Sequence, residues 1–295
     1  MARFGPVLSA MVTPFDRDGN LDLDAAQTLA KWLVENGNDG VVVAGTTGES
    51  ATLTHDEQVA LITAVRDAIP NHSLVAGAGS NDTRAAVELT QRATAAGANG
   101  ILQVTPYYNR PSQAGLAVHF KACAEATDLP LVIYDIPART GRKISHALFH
   151  ELFEIENVVA IKDAAGNPAL TAELLAEAPD RIEVYSGDDS MTLPLLAVGA
   201  VGVIGVATHW VGVETQEMIA AFQKGQVADA TRINAGLIPS WNYEASDDAP
   251  NPVPTKALMN LLGVPVGDCR PPMGPAPADL SDRARALLAD LGRDI

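Results

Sequence analysis

The run VVAIKDAAG, residues 158–166, ends a string of small apolar residues on a lysine, Lys162. A hydrocarbon-lined site strips water from an ammonium and favours the neutral amine. A lysine in such a place is therefore either solvated at a strand's mouth or a nucleophile able to attack a carbonyl and form an imine. The chain has six lysines: Lys31 and Lys121 fall within helical patterns, Lys224 at a helix end, Lys143 beyond a loop and Lys256 near the C-terminus. Only Lys162 caps a predicted strand. Other chemically versatile residues gather at the ends of neighbouring β-rich runs: Thr46 and Thr47 in GTTGES, Tyr107 and Tyr108, and Tyr134 with Arg139 five residues on. Phenols and hydroxyls both donate and accept protons, and a guanidinium grips a carboxylate with two parallel hydrogen bonds. Alternation along a strand predicts that if Lys162 points into a barrel it does so with Ala160 and Val158, and that Tyr134 shares its inward face with Val132.

The elements that must position these residues follow from periodicity. Short β-rich runs over residues 7–15, 41–50, 74–79, 100–108, 131–137, 158–163, 182–187 and 201–207 alternate with helical segments beginning near residues 23, 55, 81, 113, 145, 167 and 189 and a last one ending near Gly225. Eight such units predict an α/β fold, a (β/α)8 TIM barrel, rather than a doubly wound open sheet. In that barrel chemistry collects at the C-terminal ends of the strands, where the noted residues lie. Beyond residue 225 the signals are helical only, with NPVPTKALMNLLG opening one helix after prolines and another near Leu280–Leu291. The expected organisation is a barrel domain over 1–225 and a C-terminal helical extension over 226–295.

Composition excludes several classes. The chain has 295 residues, 47% of them apolar, enough for a large core. Its 36 acidic against 20 basic residues give a net charge of −16, which repels nucleic-acid backbones and anionic lipid surfaces. Two cysteines make no disulfide framework, and Cys123 falls in helical register with Leu116 and Phe120 as a core residue. The N-terminal stretch lacks the long apolar region of a signal peptide, and no later stretch reaches the ~18 apolar residues of a membrane span. A cytoplasmic setting is expected. No P-loop or zinc cluster is present, and GAGSN at 77–81 lacks the full dinucleotide pattern, so neither metal nor cofactor is expected.

Plainer roles compete at several positions. Tyr107 and Tyr108 have the character of interface aromatics, Gly45 and Gly48 of a tight turn, and Thr46 and Thr47 of local caps. Asp188 and Asp189 are expected to be N-caps of the following helix rather than catalytic acids. His146 and His150 have metal-ligand spacing, but flank a Leu148/Leu152 stripe without an HExxH glutamate, as boundary residues do.

The motifs GTTGES, TPYYNRPSQ (105–113), YDIPARTG (134–141), IKDAAGN (161–167), YSGDD (185–189) and NPVPTK (251–256), in this order and spacing, resemble the 4-hydroxy-tetrahydrodipicolinate synthase (dihydrodipicolinate synthase) family of pyruvate-dependent class I aldolases. The resemblance spans nearly the whole chain. It implies condensation of pyruvate with L-aspartate 4-semialdehyde, on the route to diaminopimelate and lysine. By the same resemblance Lys162 is the Schiff-base lysine, Tyr134 the proton donor and acceptor, and Thr46 the link to Tyr108, which reaches into a partner subunit's site. Thr47 binds the pyruvate carboxylate, Arg139 the semialdehyde carboxylate, and Gly187 and Ile204 shape the pyruvate pocket through their backbones. A homotetramer built as a dimer of dimers is implied.

Two departures qualify the transfer. Asp135 stands where many relatives carry asparagine, as in the actinobacterial branch, and should face the helices. Ser50, Ala51, His55, Asn81 and Tyr107 match the lysine-inhibited relatives, but Gln58 and Ala85 replace a histidine and the glutamate that pairs with the inhibitor's ammonium. Weak or absent lysine feedback is the expectation. The same barrel lysine also serves N-acetylneuraminate and keto-deoxy sugar acid aldolases or dehydratases, which differ in the loop for the second substrate. A catalytically silent pyruvate-binding protein is a third reading, opposed by the joint presence of Lys162, Tyr134, Thr46 and Tyr108.

Overall fold

The computed structural model describes residues 2–293. Eight strands, β1 (Val7–Ala10), β2 (Gly40–Val43), β3 (Ser73–Gly77), β4 (Gly100–Val104), β5 (Leu131–Asp135), β6 (Val158–Asp163), β7 (Glu183–Ser186) and β8 (Gly202–Gly205), pair in parallel in sequence order. β8 closes on β1 through Val7↔Val203 and Leu8↔Ile204, completing the barrel. Helices cover its outside, so nearly every strand position is buried on both faces, which explains the continuous apolar runs.

Local sequence starts these helices where it should. Thr54 and Glu57 form a reciprocal capping box at the head of the helix His55–Ala68. Asn167 caps Pro168–Glu177, whose first position is the proline best suited to it. Ser145 caps His146–Phe153, as the sequence implies.

The strands are shorter than the β-rich runs. β2 stops at Val43 and β4 at Val104, leaving GTTGES and PYYNR as loops. Pairing ends where the chain turns over the barrel's mouth, and the residues with chemistry are the ones freed there.

Two apolar layers result. Leu8, Ala10, Val42, Val75, Leu102, Val132, Ala160 and Ile204 fill the barrel with Tyr134 and Tyr185, while Leu131, Ile133 and Ile161 point outward to the helices. Val132 and Tyr134 share the inner face, as alternation requires. Val158 does not share it with Lys162. A register irregularity pairs Leu131 with Val158 but Val132 with Ala160, so the chain gains one residue at Val159 and Val158 turns into the outer layer. A bulge changes the face of everything before it, and no alternation rule anticipates one.

Beyond the barrel helix Thr208–Gln223, the helix Val227–Tyr243 packs back on it, and Leu280–Asp290 packs on Val253–Leu261. Among the described residues no helix is long and apolar enough to cross a membrane. Cys123 is fully buried, as its register predicts. Asp135 faces outward, beside Asp163, Lys143 and His146 between barrel and helices. His150 pairs with Glu177 at 3.1 Å on the surface side.

Candidate active site

β5 and β6 carry the central pair. Tyr134 and Lys162 occupy matching positions on the two strands and both turn into the barrel. The Lys162 ammonium nitrogen stands 4.4 Å from the Tyr134 ring centroid. Each residue is only 5% exposed, so the amine sits against a ring face rather than in water. Burial brings Lys162 down to about 8; the Asp189 carboxylate opposes the shift and the Arg139 guanidinium adds to it. About a tenth of the amine is then neutral at pH 7, against roughly one part in a few thousand for a solvated lysine. Burial also pushes the Tyr134 phenol up, despite Arg139, and so the hydroxyl holds its proton and can donate it.

Gly187, just beyond β7, makes room for the lysine stem. A Cβ there would lie 2.9 Å from Lys162 Cγ and 3.0 Å from Cε, closer than carbon atoms pack. Its N–H donates to the Asp163 carbonyl at 2.7 Å, holding this close approach in place. Ile204 lies on β8 in the barrel's inner layer and is 1% exposed.

Above this pair opens a cavity of about 300 Å³, lined by Thr46, Tyr107, Tyr134, Arg139 and Asn251 among others. Arg139 reaches it from the one-turn helix Pro137–Thr140 that follows β5. Thr46 comes from the β2 loop. Thr47 is buried behind that loop, and its hydroxyl accepts from Asn251 Nδ2 at 2.9 Å. No hydrogen bond joins Thr46 to Tyr134 among the described residues; they meet only across the cavity.

The candidate residues thus divide. Thr46, Tyr134 and Arg139 line one cavity, with Lys162 packed against its Tyr134 wall and Gly187 against the Lys162 stem. Thr47 and Ile204 are buried close by without lining it. Tyr108 is not brought in: it is 91% exposed with a left-handed backbone (φ 71°), and it does not line its own chain's cavity.

Asp188 and Asp189 part company too. Asp188 accepts from the Ser190 N–H at 2.9 Å, the cap expected of it. Asp189 instead is buried and accepts from the Val206 N–H at 2.7 Å, tying the loop after β7 to the end of β8. Burial raises its pKa, as it does that of Glu244, whose carboxyl faces Asp189 and Asp188. A dipeptide of aspartates before a helix carries no signal of which one turns inward.

Sequence reasoning also missed Asn251 and the buried pair Lys256–Glu49 (2.7 Å). Both Asn251 and Lys256 lie in the motif NPVPTK, but nothing in it names the partner of either.

The chain matches the family model described as the dihydrodipicolinate synthetase family over residues 3–291. It is 49% identical over 292 residues to the 4-hydroxy-tetrahydrodipicolinate synthase of Acidothermus cellulolyticus, covering 99% of this chain and 94% of that one. With the enzyme of the same name from Moorella thermoacetica it shares 46% over 291 residues, 98% and 99% of the two chains. The crystal structure of a dihydrodipicolinate synthase from Bacillus anthracis superposes with a TM-score of 0.94 at 42% identity, covering 98% and 99%. That of Cyanidioschyzon merolae, with lysine bound, superposes with 0.94 at 41%, covering 98% of each chain. Agreement of this kind over the full length of sequence and barrel leaves one assignment: the chain belongs to the dihydrodipicolinate synthetase family, and it is a carbon–carbon lyase of the 4-hydroxy-tetrahydrodipicolinate synthase type.

Proposed function

We propose that this protein condenses pyruvate with L-aspartate 4-semialdehyde through an imine on Lys162. The observation that carries the assignment is the burial of Lys162 against Tyr134, which leaves a usable fraction of free amine near neutral pH. The lone pair of Nζ attacks the keto carbon of pyruvate, and the tetrahedral adduct loses its hydroxyl as water to give the imine. Loss of a methyl proton forms the enamine, whose carbon attacks the aldehyde; the new alkoxide takes up a proton. The amino group of the semialdehyde then adds to the imine carbon and expels Lys162 as free amine, closing the ring.

Tyr134, a phenol that keeps its proton, suits the donor and acceptor in these transfers. Thr46 shares its cavity and Tyr108 completes the relay from a second subunit. The exposure of Tyr108 in a single chain supports that arrangement, because an aromatic residue held outward on a left-handed backbone gains nothing from water. A dimer is then the smallest complete unit, and a tetramer of two such dimers the assembly. Thr47 and the loop amides take the pyruvate carboxylate, Arg139 that of the semialdehyde, and Gly187 and Ile204 shape the pocket. The expected location is the cytoplasm.

Incubation with pyruvate and borohydride, followed by peptide mapping, should leave a reduced adduct on Lys162. An adduct on any other side chain would refute the assignment.

A further inference from the structure

Two charged residues with no part in the reaction above, Glu49 and Lys256, form the most deeply buried ion pair among the described residues. Their side chains are 1% and 2% exposed, and Nζ lies 2.7 Å from Oε1. The approach is oblique, an ion pair without a linear hydrogen bond. The directed bond from Nζ goes to the Asp268 carbonyl at 2.9 Å. The other Glu49 oxygen accepts the Arg270 N–H at 2.9 Å. The Arg270 guanidinium in turn donates to the Thr52 carbonyl at 2.9 Å and to Glu57 Oε1 at 2.5 Å. Both cations also lie 4.2 Å from the Phe15 ring centroid.

These contacts run in one direction. Asn251, Lys256 and Arg270 belong to the segment after the barrel, and Thr47, Glu49, Thr52 and Glu57 to the loop after β2 and its helix. Burying two charges is a poor way to gain stability, since matched apolar residues often do as well. The pair is better suited to fixing one geometry. Glu49 has φ +54°, a conformation uncommon for a side-chain-bearing residue and maintained only by its surroundings. Its N–H closes a turn on the Thr46 carbonyl at 3.0 Å, so the backbone held at Glu49 is the one that presents Thr46 and Thr47.

We propose that Glu49 and Lys256 are positioning residues, through which the C-terminal segment sets the β2 loop that binds the keto acid's carboxylate. The inference rests on the reading that pyruvate is bound at Lys162. By the reciprocity of coupled equilibria, pyruvate in that site must also steady the C-terminal segment.

The test has two arms. Lys256→Met alone strands a buried carboxylate, so the variant used is Glu49→Gln/Lys256→Met, which removes both charges at similar volume. Below its melting temperature KM for pyruvate should rise by about tenfold or more, within the usual range of coupling, with KM for the semialdehyde within about threefold of wild type. A purely structural pair would lower the melting temperature and leave KM unmoved, which would overturn the proposal. The second arm needs no variant: hydrogen exchange of the wild-type protein, free and with pyruvate reduced onto it. Amides of residues 46–52 and 253–270 should slow together. Slowing confined to 46–52 overturns the proposal, including where the double variant does not fold. Mass analysis of the same sample keeps the two readings apart, since an unmodified Lys162 would count against the imine itself rather than against the coupling.

Discussion

Tyr134 and Lys162 face each other across the β5–β6 pairing, ring against amine at 4.4 Å, so the phenol oxygen and the nucleophile are set by two adjacent strands rather than by loops. Tyr134→Phe keeps the ring and removes only the hydroxyl. It should lower kcat by about 10²- to 10⁴-fold, the usual worth of a positioned acid–base group, with the melting temperature little changed. Lys162→Ala should abolish the borohydride-trapped adduct altogether. Steady-state rates and adduct mass distinguish the two.

Imine formation should depend on pH through Lys162. With the amine's pKa brought down to about 8, the neutral fraction, and with it the single-turnover rate of adduct formation, should climb from pH 6.5 and level off above about pH 9. A rate that keeps rising to pH 10 would indicate an amine that water still reaches.

Gly187→Ala tests the packing of the lysine stem. The new methyl would meet Lys162 Cγ at 2.9 Å, and the flexible side chain gives way before the backbone does. Adduct formation should fall by at least about tenfold while the circular dichroism spectrum and assembly state stay those of wild type.

Asp135 provides a stability test outside the site. Burial, with Asp163 adding to it, raises its pKa to about 7, against a lower value in the unfolded chain. The folded state therefore binds the proton more tightly, so this contribution to stability is complete below about pH 4 and is lost as pH rises through 7. Asp135→Asn should remove that loss, gaining up to about 4 kcal/mol at pH 8 and little at pH 4. Chemical denaturation at the two pH values measures the difference.

Lysine should inhibit poorly. Ser50, Ala51 and Tyr107 line the cavity, but Gln58 is buried with its amide already donating to the Ser50 carbonyl at 3.1 Å, and Ala85 offers no carboxylate to an ammonium. Half-inhibition should require lysine well above the millimolar range in a coupled assay. Sub-millimolar inhibition would mean that another acid takes the place of the missing one.

The barrel was legible in the sequence because it is built from repeated local decisions. Alternating apolar runs, capping residues such as Ser145 and Asn167, and the position of Lys162 at a strand's end each depend on neighbours a few residues away. Strand alternation tied the face of Lys162 to that of Ala160 and the face of Tyr134 to that of Val132, but in strands buried on both sides it did not decide that the Lys162 face is the inner one. That rule failed at Val158, where a single bulged residue reversed the face. The remaining features depend on which distant segments meet. Asp189 and Asp188 are chemically identical in sequence, and only the arrival of the Val206 amide makes one of them a buried brace. Lys256 reads as one more helix lysine until Glu49 and Phe15 close around it. Tyr108 reads as a site residue, yet a single chain turns it outward. Local chemistry sets what each residue is able to do; whether it is dry, paired or exposed is decided by the tertiary packing that removes water from it.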